Sequence, residues 1–184
     1  MYYERIYGFD NLHKAFKLAR RGKRWKPATA RFEVNLLENL LRLSRELQDK
    51  TYELSEYHTF KVYEPKERDV MSNSFRDKVV QHSLCDNALE ILLRKNFLYD
   101  NYASQVGKGT DFGLKRLDGF MHKFYRQHGL EGWVLKCDIR KYFYSIPHEY
   151  LKRILEPYVP EEDVRWLLWY IIDSTSDLSL IHIS

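Results

Sequence analysis

Cysteine is nearly missing from this chain, with Cys85 and Cys137 the only two in 184 residues. Both sit in apolar runs without metal-ligand spacing, and a reducing cytoplasm suits them best. Seven histidines are present, but no HxxxH or paired Cys/His pattern occurs, which speaks against structural zinc. Long apolar runs are missing as well. The longest stretches fall short of the roughly 18 residues a membrane span needs, and Met1-Tyr2-Tyr3-Glu4 has no signal-peptide architecture. No serine stands in a G-x-S-x-G elbow and no cysteine adjoins a base in sequence, so hydrolase chemistry has no positive sign. Internal repeats and low-complexity tracts are absent, and five prolines and eight glycines act as punctuation.

The chain is 44% hydrophobic, enough to bury one domain-sized core but hardly two. Its formal charge is only +4, yet the charge is unevenly placed. Lys14, Lys17, Arg20, Arg21, Lys23, Arg24 and Lys26 follow one another with no acid between them. Unopposed charge of this density repels itself unless a polyanion is near, and Trp25 in its midst can stack on a base or sugar. A solvated helix end followed by a basic loop is the alternative.

Leu36, Leu40, Leu43 and Leu47 recur at helical spacing, with Leu37 and Leu41 widening the stripe, which predicts an amphipathic helix over 30–49. From Tyr57 to Met71 the residues turn β-rich around Glu64-Pro65-Lys66-Glu67, a hairpin with a four-residue connection. If Tyr63 faces Arg68, then Lys61, Tyr63 and Arg68 share one face, and Phe60, Val62 and Met71 the other. Two half-buried helices follow over 76–95 and 110–127, separated by a polar loop that ends in Gly107-Lys108-Gly109 with Thr110 as N-cap. Residues 133–138 read as a short buried strand, after which Pro147 opens a helix to about 156 and another covers 161–172. No regular βαβ repeat appears, so the fold class is α+β, with helices packed on a small antiparallel sheet.

Alternation along Trp133-Val134-Leu135-Lys136-Cys137-Asp138 projects the Asp138 carboxylate from a strand end. Hard cations take oxygen ligands, and phosphoryl transfer commonly uses two of them. Asp138 is placed either as such a ligand or as a cap on the following turn. The glycine turn around Lys108 offers backbone N–H groups to anions, but it is no nucleotide-binding P-loop, since position 102 is Tyr102 where that motif needs glycine.

Taken together and in order, three segments resemble the early motifs of prokaryotic reverse transcriptases, the group of retrons, diversity-generating retroelements and group II introns. They are Glu64-Pro65-Lys66-Glu67-Arg68 with Phe75-Arg76-Asp77-Lys78-Val79-Val80-Gln81-His82, then Asn101-Tyr102-Ala103 through Thr110, then Lys136-Cys137-Asp138-Ile139-Arg140-Lys141-Tyr142-Phe143 with Ser145-Ile146-Pro147-His148. The resemblance implies the fingers and part of the palm of a right-hand polymerase: a basic arm and helix over 1–30, fingers over 31–132 and the start of the palm over 133–177. It implies RNA-directed DNA polymerase activity with magnesium, or manganese in its place, and an RNA template, a primer and dNTPs as partners. Asp138 looks like the first metal-binding aspartate, with the Ile139 carbonyl as a further ligand. Phe143 stands where the family has its aromatic gate against a 2′-hydroxyl. Arg68, with Lys61 or Lys66, looks like the cations that hold the incoming triphosphate. Arg76, Lys78 and Lys108 resemble template-backbone contacts, joined by Arg24 and Lys26 of the arm; surface ion pairs are the other reading of the first three.

The departures are equally plain. The family completes its site with Tyr-x-Asp-Asp, and no two adjacent aspartates occur here. The chain alone is therefore expected not to polymerise DNA. Residues 178–184, Leu-Ser-Leu-Ile-His-Ile-Ser, look like a translated sequencing adapter, the alternative being an ordinary strand. A palm stripped of partner strands predicts aggregation or partial disorder after Pro160. A non-catalytic RNA-binding module, maturase-like or defence-related, is the rival expectation.

Overall fold

The computed structural model describes residues 1–65, 67–103, 105–139 and 146–174, and for Arg68 the backbone alone. They divide into two compact units, one of Met1–Arg94 with the last two α-helices, the other beginning at Lys95.

The first unit opens with α1 (Tyr2–Tyr7), α2 (Phe9–Ala19), α3 (Pro27–Val34) and α4 (Leu36–Gln48). A hairpin, β1 (His58–Val62) and β2 (Arg68–Ser72), leads into α5 (Phe75–Leu84), which runs through a π turn at Cys85–Leu89 into α6 (Glu90–Leu93). The class is α+β, with one two-stranded antiparallel sheet among the described residues. The core, however, is made by helices packing on one another. Phe16 of α2 stacks on Phe32 of α3 at 5.9 Å between ring centroids, and Phe75 of α5 meets both edge-on at 6.0 and 5.4 Å. Ile6, Leu12, Leu40, Leu43, Leu47, Val79 and Val80 close around them, and among the described side chains of the hairpin none is buried.

The helix expected over 30–49 is two helices. Asn35 takes φ −111° and ψ 42°, which lets α3 turn Phe32 toward Phe16 and Phe75 while α4 faces α1. The Asn39 side chain donates to the freed Phe32 carbonyl at 3.0 Å. Leu37 and Leu41, counted with the apolar stripe, lie exposed beside it.

The hairpin register also differs from expectation. Val62, not Tyr63, pairs with Arg68, so the connection takes five residues, 63–67, and Lys61 pairs with Asp69. A shift of one residue reverses the phase of every pair. Positions 61 and 68 are consequently out of phase and do not form the shared cationic face anticipated for them.

Beyond residue 145 the described chain forms α8 (His148–Leu155), whose N-cap is Pro147, a 3₁₀ turn at Glu156–Tyr158, and α9 (Glu162–Asp173). α9 buries Val164, Leu167 and Leu168 in the core. Glu161 closes the unit. Its carboxylate accepts from the Tyr2 and Tyr3 backbone N–H groups at 2.7 and 3.0 Å, satisfying orphan donors of the first helix.

In the second unit α7 (Thr110–His128) starts after Gly109, which holds the N-cap position expected for Thr110. None of its residues is buried, against the half-buried helix foreseen. Residues 131–139 carry no regular structure, and Trp133 is fully exposed at 101%. The expected strand over 133–138 does not form because a strand exists only through a neighbour's ladder. Among the described residues β1 and β2 pair solely with each other. No described helix is long and apolar enough to cross a membrane.

Candidate nucleic-acid interface

The basic arm folds as the end of α2, a turn, and the start of α3. Gly22 makes the turn at φ +69°, a left-handed conformation that glycine adopts without a Cβ clash. The Trp25 indole N–H donates to the Gly22 carbonyl at 3.2 Å, yet the side chain remains 78% exposed. Lys26 is the N-cap of α3, ahead of Pro27, and its Nζ lies 5.5 Å from the Trp25 ring centroid.

The arm is not wholly without acid once folded. Glu33, in the last turn of α3, accepts from Arg20 and sits 3.3 Å from Arg24. Arg24, expected at the template, is thus loosely paired but still exposed. The lysines are different. Among the described residues Lys23, Lys26 and Lys78 have no carboxylate partner, and they act on one another. Burial, then Lys23 and Lys26, lower the Lys78 ammonium below the ordinary lysine range. Lys78, on α5, donates to the Ser72 hydroxyl at 2.6 Å at the end of β2. Lys23 and Lys26 of the arm thus act electrostatically on Lys78 of α5, which sits at the end of β2.

Arg76 is occupied otherwise. Its guanidinium binds the Glu46 carboxylate, donates to the Glu53 carbonyl at 2.8 Å and lies 4.9 Å from the Tyr52 ring centroid. Beside it the fully buried Asp77 carboxylate accepts from the Tyr52 hydroxyl at 2.7 Å, the Ser55 N–H at 3.1 Å and the Ser74 hydroxyl at 2.7 Å. Burial, followed by the Asp77 charge, pushes the Tyr52 hydroxyl far above its usual range. This network fixes α5 against the loop after α4, an internal task for two residues of the segment that carries Lys78.

Lys61 pairs with Glu67 at 2.8 Å on the exposed hairpin. Lys66 and Phe143 lie outside the described residues, as do the side chain of Arg68 and the tail over 178–184.

In the second unit Lys108 donates to the Tyr99 and Asn101 carbonyls at 2.6 and 3.2 Å and faces the Tyr99 and Phe112 rings. Arg116 binds Asp100 and lies over the other neighbour of that cluster, Phe120, and over Tyr99. Lys108 here ties its loop shut instead of standing free. Asp138 and Ile139 are exposed in the segment without regular structure. Among the described residues no three ligating side chains converge on a metal position.

Lys23 and Trp25 belong to the basic arm that the sequence already marks as a nucleic-acid contact. The signal of that arm, a run of cations around an aromatic, was legible; the action of Lys23 on Lys78, over fifty positions away, was not. Neither the models of known protein families nor the curated proteins provide a match to this chain.

Proposed function

We propose that the chain is the amino-terminal region of an RNA-directed DNA polymerase of the prokaryotic reverse transcriptase type, and that it holds a nucleic-acid strand at the base of its hairpin. The observation that carries the reading is the run of cations from Lys14 to Lys26 around the exposed Trp25, folded so that Lys23 and Lys26 act on Lys78 at the end of β2, with no carboxylate partner for these three lysines among the described residues. Like charges so placed oppose folding, and a polyanion relieves them by releasing its own counterions. The order of the three sequence motifs supports the polymerase assignment over other polyanion binders.

Magnesium chemistry belongs to this reading through Asp138, a hard oxygen donor. A lone exposed carboxylate does not make up a magnesium site. Recruitment of the nucleic acid is the part of the work that these residues can perform.

The test is the salt dependence of RNA binding by fluorescence anisotropy. The chain should bind, and alanine at Lys23, Lys26 and Lys78 together should flatten the slope of log K against log salt by about 2, at roughly 0.7 per charge for a single strand. No binding at low salt overturns the proposal. In a protein that also carries a Tyr-x-Asp-Asp segment, Asp138→Ala should abolish primer extension; extension unaffected by the substitution refutes Asp138 as the metal ligand, and RNA binding with no extension by the unmodified protein leaves the non-catalytic module.

A further inference from the structure

The nucleic-acid reading leaves open whether the strand held is single or paired, and the geometry around Trp25 bears on it. The indole is anchored at its edge by the bond to Gly22 and is contacted on its face by the Lys26 ammonium, while most of its surface stays in water. An exposed tryptophan held in one orientation loses little rotamer freedom when something stacks on it. Lys26 is also one of the cations that act on Lys78. One side chain thus links an aromatic surface to the positive field around Lys78.

We propose that Trp25 is a stacking platform for one unpaired base of a single-stranded nucleic acid, whose adjoining phosphate is held by Lys26, Lys23 and Lys78. This rests on the nucleic-acid reading and narrows its ligand to an unpaired strand. In a duplex each base face is already covered by its neighbours, whereas a single strand can turn a base onto an aromatic ring. A duplex reaches the lysines but not the ring. Arg24, held near Glu33, flanks the strand without defining it.

The experiment compares a fluorescein-labelled oligouridylate of about 15 nucleotides with an RNA duplex of the same length. Trp25→Ala should weaken oligouridylate binding about tenfold, the low-to-middle range for loss of one base–aromatic stack, and leave duplex binding within twofold. Trp25→Phe should recover most of the loss. Lys78→Ala should weaken both ligands. Trp25 is largely exposed and contributes nothing to the core, so unchanged circular dichroism is expected for both Trp25 variants. Equal losses for strand and duplex in Trp25→Ala, or no loss for either, overturn the platform while the nucleic-acid reading stands. Failure of the unmodified chain to bind either ligand overturns both.

Discussion

At the scale of single residues, Lys78 has the clearest chemical consequence. Its neighbours Lys23 and Lys26 and its partial burial disfavour the charged ammonium, so its folded pKa lies below the unfolded value. The sign follows for stability: a lysine depressed in this way costs the fold while charged, and that cost is relieved as pH rises through the lowered value. Binding runs the other way. A phosphate favours the ammonium, so complex formation takes up a proton at alkaline pH, and affinity should decline with rising pH before ordinary lysines lose their charge. Anisotropy titrations across the alkaline range should show this decline in the parent chain and not in Lys78→Arg, whose guanidinium stays protonated throughout.

Among the elements, α5 is the one that local chemistry holds most firmly. Ser74 accepts from the Asp77 N–H at 3.2 Å and donates to its carboxylate at 2.7 Å. Ser74→Ala removes the cap and one partner of a buried charge, and should lower stability by about 2 kcal/mol in urea unfolding. The helices at large were legible from apolar spacing: α4 through Leu40, Leu43 and Leu47, α8 behind Pro147, α9 through Val164, Leu167 and Leu168. What was not legible depended on contacts distant in sequence. Asn35 breaks its helix for the sake of Phe16 and Phe75. The hairpin phase depended on whether Tyr63 belonged to the strand or to the turn, which alternation cannot decide. The apolar run around Leu135 has strand composition, but composition cannot supply a pairing partner. Of the candidate site, the basic arm could be read directly, whereas the neutralisation of Arg20 and Arg24 by Glu33 could not, because it depends on how the turn at Gly22 returns α3 toward the arginines.

For the whole molecule, the decisive contacts join the two ends of the first unit. Glu161 receives two backbone N–H groups of α1, and Tyr3 donates to the Leu47 carbonyl at 2.6 Å from the same helix. Glu161→Gln keeps the shape but removes the charge from bonds to those donors, and should cost about 1–2 kcal/mol. Chemical denaturation followed by tryptophan fluorescence would measure it, since Trp166 lies edge-on to Tyr3 at 6.3 Å. An unchanged midpoint would mean that α1 is held by apolar packing alone.

That same contact sets an order of events on the ribosome. Tyr2 and Glu161 are 159 residues apart, and synthesis proceeds at about 5–20 residues per second. The opening helix therefore has to wait for many seconds, its first amides served by water, until the carboxylate that will hold them has been translated.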